Sequence, residues 1–192
     1  MNIDGEFKTV DAVIGSKADT SGVDAFALSL IKAERQARKL FTHLVYQFPV
    51  FSRKDVPTLR ATLEGYKSVY FACILVGFDS LYPKSIESLI GPDYQRLKAR
   101  LDEASSYRNK IFHGQLTAQS LSRRNLLSLV KDIRTWCETL GVAAFREFEY
   151  DGFGRNSFNK SSDSNLWRSL KVEFRCVDDY KQFVKDHMRR CR

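Results

Sequence analysis

Apolar residues recur every three or four positions through most of this chain, the period of a helix with one buried face. Phe26, Leu30, Ala37, Phe41, Leu44, Val45 and Phe48 share one broad face, opposed by a basic face of Lys32, Arg35, Arg38 and Lys39. This predicts a first helix from about Asp24, ended by Pro49. A second is expected from Asp55, read as its cap with Pro57 in the first turn, through Leu59, Leu63, Tyr66, Val69, Tyr70, Cys73, Ile74, Phe78 and Leu81. Pro83 breaks the chain and Gly91-Pro92 marks entry to a third helix, whose stripe is Tyr94, Leu97, Leu101, Ala104 and Arg108. Gly114 is its expected stop. A fourth, capped by Thr117 or Ser120, carries Leu126, Leu129, Val130, Ile133, Trp136, Cys137 and Leu140 and is expected to end at Gly141.

The pattern changes at both ends. Residues 1–22 are polar, with a brief alternation at Val10, Ala12 and Ile14, and read as a flexible arm or an edge strand. Beyond the fourth helix, Phe145–Tyr150 and Leu170, Val172, Phe174 and Cys176 alternate with polar residues, which predicts a hairpin joined by a long Gly/Ser/Asn-rich loop. A short closing helix over 178–188 and a basic end of Arg189, Arg190 and Arg192 follow. The fold class expected is mainly α: an up-and-down four-helix bundle over 23–141, an arm over 1–22, and a small α/β appendage over 142–192.

At 192 residues, with 43% hydrophobic and 28% charged residues, the composition is that of a globular chain of one domain with an appendage. No segment approaches eighteen uncharged apolar residues, so no membrane contact is expected and the cytoplasm is the default compartment. Cys73, Cys137, Cys176 and Cys191 have neither metal-ligand nor disulfide-framework spacing, so neither a metal nor a cofactor is expected. A net charge of +8 favours a polyanionic partner through counterion release, although on charge alone a merely solvated basic surface is the better account.

The chemistry concentrates at Tyr107-Arg108-Asn109-Lys110-Ile111-Phe112-His113-Gly114. Arg108 lies on the stripe that otherwise faces the core and needs an acceptor, for which Glu64 and Asp79 are the candidates. His113 sits at or near the helix end, where the chain can return it toward the arginine. A guanidinium offers a planar fork to phosphate oxygens, and an imidazole both takes and gives a proton near neutral pH. His43 and His187 lack such surroundings and read as surface or boundary histidines.

Arg-Asn-x-x-x-His at a helix end in a small helical protein resembles the HEPN superfamily of nucleases and nucleotide-binding domains, over roughly 24–140. The resemblance implies a metal-independent endoribonuclease in a toxin-antitoxin or anti-phage role, acting as a homodimer and controlled by an antitoxin or sensor protein. It also implies catalytic roles for Arg108, Asn109 and His113. The alternative is a non-catalytic module of the same kind that binds nucleotide, nucleic acid or a protein. Arg123 and Arg124 are candidate RNA-backbone contacts. Phe153 and Arg155, in the loop over 152–158, are candidate base-holding residues, or else parts of an Ω-loop pinned by its own phenylalanines.

Overall fold

The computed structural model describes residues 3–65, 71–112, 121–154 and 156–188. Its elements are α1 (Ile3–Ile14), α2 (Ser21–Tyr46), α3 (Val56–Gly65), α4 (Phe71–Leu81), α5 (Ile86–Ile90), α6 (Tyr94–Phe112), α7 (Arg123–Phe148) and α8 (Val177–His187), with short 3-10 turns between some of them. The mainly α class expected from the periodicity is what forms.

α2 and α7 make the most extensive helix pairing of the fold. Three contacts give its direction: Gly22 lies against Arg123, Gln36 reaches the Cys137 carbonyl, and His43 stacks on Phe148. Both residue numbers rise together, so α2 and α7 run parallel. α4 follows the same direction, with Phe71 beside Trp136 and Phe78 and Tyr82 beside Phe148. α6 runs the other way, with Tyr94 against Trp136 and Arg100 reaching Asp132 and Ser128.

This corrects the expected up-and-down order, in which the second helix would oppose the first and the fourth would oppose it too. Within the stretch expected as one helix over 55–81, the described residues form α3 and α4, with 66–70 outside them, and α4 runs with α2 instead of against it. The start of α3 also differs from expectation: Ser52 caps the preceding turn in a reciprocal capping box with Asp55. Thr117, Ser120 and the stop expected at Gly114 lie outside the described residues, and the cap of α7 is Ser122, whose hydroxyl accepts from the Asn125 amide at 3.2 Å.

α7 does not end at Gly141. It continues to Phe148 with Gly141 buried inside it, because the cost of about 1 kcal/mol for a helical glycine is small beside the burial of Ala144 and Phe148 beyond it. The helix ends at Glu149, in the left-handed region at φ 58°, with its amide bonded to the Phe145 carbonyl. The first half of the expected hairpin is therefore helix. Its second half, over 170–176, carries no strand, so among the described residues the appendage is α8 plus irregular chain and not α/β.

Nor are the ends separate from the core. The expected arm folds as α1, which buries Ile3, Phe7 and Val10 against α2 and is held to α7 by Arg134, which donates to Asp4 and Asp11. Tyr180, Phe183 and Met188 of the closing segment are buried in the same cluster as Phe41, Phe51 and Phe78. Among the described residues no helix is long and apolar enough to cross a membrane.

Candidate functional site

Leu97, Leu101 and Ala104 are buried on α6, and Arg108 continues their stripe to the edge of the core, where its side chain keeps 43% exposure. Its guanidinium lies 3.5 Å from the Glu34 carboxylate of α2. Neither expected acceptor takes this place: Asp79 accepts instead from the Ile86 amide at 2.7 Å, and Glu64 is exposed on α3. Glu34 is a site residue that the periodicity did not reveal. Its other oxygen receives Nε and Nη2 of Arg38 at 3.1 and 3.0 Å, so one carboxylate orients two guanidiniums. The only local sign in the sequence is the i, i+4 spacing of Glu34 and Arg38.

Asn109 follows Arg108 on the exposed side of α6. His113 and Arg155 lie outside the described residues. Of the other candidates, Arg124 is exposed, whereas Arg123 donates to the Ile14 carbonyl at 2.9 Å and to the Ser21 hydroxyl, joining the end of α1 and the start of α2 to the start of α7. Phe153 is 5% exposed and belongs to the core, so its ring offers no face to an unstacked base.

The loop after α7 is held by a polar stripe on α2. Gln36, Lys39, His43 and Gln47 follow the helical period and meet successive carbonyls of 151–159. Gln36 donates to Asp151 at 3.0 Å and Lys39 to Phe153 at 2.6 Å; His43 Nδ1 lies 3.3 Å from the Ser157 oxygen, and Gln47 donates to Asn159 at 3.1 Å. His43, expected at a surface or boundary, is 2% exposed and packs on Tyr150 with ring centroids 4.6 Å apart. His187 is exposed, as expected. Asp151 and Asn156 close the loop's own turns by accepting from the amides two residues on. Phe153 and Phe158 are both buried and pin the loop to the core, while Arg155 lies outside the described residues.

Between α2, α3 and the turn at 156–158 this arrangement leaves a groove of about 650 Å³. Arg35, Arg38, Lys39 and Arg60 line it against Glu34 and Glu64, with Ile31, Leu63 and Phe158 as apolar wall. Glu34 belongs to both the groove and the Arg108 pair, so the two are contiguous. Burial, and then the nearby charge of Arg35, hold the Lys39 ammonium below the ordinary lysine range. Burial pushes the Cys137 thiol upward and leaves it an unreactive core group.

Chemically, the site offers a half-exposed, pre-oriented guanidinium beside a cationic groove, an arrangement suited to phosphate. Compared with protein-family models, curated proteins and solved structures, the chain matches none.

Proposed function

We propose that this chain is a metal-independent endoribonuclease in which Arg108 and His113 act on a phosphodiester of RNA. The observation that carries the reading is the placement of Arg108. It ends a buried stripe, keeps 43% exposure and is oriented by Glu34, within an Arg-Asn-x-x-x-His sequence resembling the HEPN motif. His113 takes the proton from a ribose 2′-OH or gives one to the leaving 5′ oxygen. Arg108 stabilises the charge that develops on the phosphate, and Asn109 hydrogen-bonds the phosphate or the arginine. The nucleophile belongs to the substrate, so the products are a 2′,3′-cyclic phosphate and a 5′-OH. A toxin-antitoxin or anti-phage role, with a second copy completing the cleft and an antitoxin or sensor restraining it, follows from the same resemblance.

Glu34 favours a second reading. Because it already compensates part of the Arg108 charge, the same arrangement suits a module that binds nucleotide, nucleic acid or protein without cutting. Incubating the protein and its His113→Ala variant with total RNA separates the two. Loss of a positioned acid or base costs about a hundredfold to ten-thousandfold in rate. Cleavage should fall by that order in His113→Ala, persist in EDTA, and stop when the scissile ribose is replaced by deoxyribose. Equal cutting by parent and variant removes the nuclease mechanism; binding without cutting by either establishes the module.

A further inference from the structure

We propose that the groove between α2, α3 and the turn at 156–158 is a channel for single-stranded RNA, holding the strand that flanks the Arg108 phosphate. The choice of RNA as occupant rests on the ribonuclease reading; the groove and its chemistry do not. Its four cations against two carboxylates leave it net positive, and its volume of about 650 Å³ suits a nucleotide unit. Arg35 and Arg60 form no ion pair with a described residue, so their charge is available to a ligand, whereas Arg38 is oriented by Glu34. Arg60 has a further property. Its guanidinium lies over the Phe158 ring, 5.0 Å from the centroid, and Phe158 is in turn packed edge-on against Tyr46. A guanidinium plane held on a buried ring is a ready stacking surface for a base.

The carboxylates and the apolar wall choose between polyanions. Glu34 and Glu64 repel the side chains of an acidic peptide, yet accept hydrogen bonds from ribose hydroxyls and from base amino groups. Ile31, 55% exposed at the groove edge, and Leu63 offer the apolar contact that a base face needs and a carboxylate does not. Contiguity through Glu34 gives the path: a strand whose phosphate reaches Arg108 enters the groove past Arg38, the other guanidinium on Glu34.

The test is fluorescence anisotropy with an end-labelled single-stranded RNA oligonucleotide of about ten nucleotides, a length within single-strand site sizes. It uses the His113→Ala protein, so that the probe stays intact, and a salt series. Arg35→Ala and Arg60→Ala should each weaken binding about tenfold and lower the salt slope by about 0.7. Arg175→Ala, which removes an arginine 81% exposed and outside the groove, should change neither by more than twofold. Circular dichroism of each variant verifies the fold. Unchanged affinity in both groove variants overturns the proposal, as does an equal loss in Arg175→Ala, which would mean diffuse surface charge. Displacement of the probe by oligoglutamate as readily as by unlabelled RNA also overturns it, in favour of an acidic protein partner. The two readings fail separately. Groove variants that lose binding while the parent cuts nothing uphold the channel and reject the nuclease; normal binding in those variants with His113-dependent cutting does the reverse.

Discussion

Arg108 shows how one side chain passes from structural to chemical use. On the periodic stripe of α6 it would be an expensive core residue, but its position at the edge of the core lets the head reach both Glu34 and solvent. A lysine keeps the charge and loses the fork that can face a carboxylate and a phosphate together, so Arg108→Lys should lose most RNA cleavage while retaining its melting temperature to within a few degrees. Lys39 allows a prediction with a definite sign. Its pKa is lowered by burial and then by Arg35, so the protonated form is disfavoured in the fold; that penalty is present below the folded pKa and is relieved as pH rises through it toward 10.5. Removing one lowering cause in Arg35→Ala should therefore shift the Lys39 titration upward, which NMR of the side-chain carbon adjoining Nζ would detect. Gly152 is fixed by space as well as by backbone. At φ 82° an added Cβ would stand 2.6 Å from the Gln36 Cγ and 3.0 Å from the Gln36 carbonyl oxygen. Gly152→Ala combines left-handed strain with overpacking and should destabilise by about 2–4 kcal/mol in urea unfolding.

Among the elements, α2 carries two unrelated duties on one helix. Its apolar face packs on α7, and its polar stripe from Gln36 to Gln47 gives partners to the backbone of the loop after α7, whose described residues form no strand ladder. Gln47 is 6% exposed, donates to the Asn159 carbonyl and accepts from the Ser161 amide at 2.8 Å. Gln47→Leu would leave both part-buried groups short of a partner and should cost about 2 kcal/mol, the low end of about 1–3 kcal/mol for each unsatisfied group. Because Ser157 and Phe158 form one wall of the groove, the same variant should also weaken RNA binding. The absence of the expected hairpin has the same origin. The alternation over 170–176 reflects Leu170 and Phe174 turned into the core, and packing against Phe48 and Phe51 accounts for Phe174 without a neighbouring strand.

At the scale of the molecule, the closing segment is part of the core. Phe174, Tyr180, Phe183 and Met188 are each at least nine-tenths buried, and each large apolar side chain contributes about 1.5–3 kcal/mol on burial. Their sum is comparable with the whole net stability of a domain, about 5–15 kcal/mol. A chain cut after Asn165 should therefore show no cooperative thermal transition, whereas the full chain should melt in one step. Assembly supplies a further expectation. If each copy contributes part of a composite cleft, light scattering should find a dimer at micromolar concentration; a strict monomer that still cuts RNA would remove the composite cleft and leave the Arg108 chemistry in place.

Helix type and most apolar faces were legible because burial at spacings of three and four is a local property. Leu97, Leu101 and Ala104, or Leu126 to Leu140, report it without knowledge of any partner. The Arg108-Asn109-x-x-x-His113 string was legible for the same reason. What lay beyond the pattern was relative placement. Glu34 is far from Arg108 in sequence, and its carboxylate became the partner only when packing brought α2 and α6 together. α2 and α7 lie parallel, and α3 stands across the groove from α2, through contacts between residues distant in the chain. His43 reads as an isolated polar residue until the loop over 151–159 folds onto it. Periodicity states which face is buried; the element that covers it is decided by packing and loop closure between residues distant in the chain.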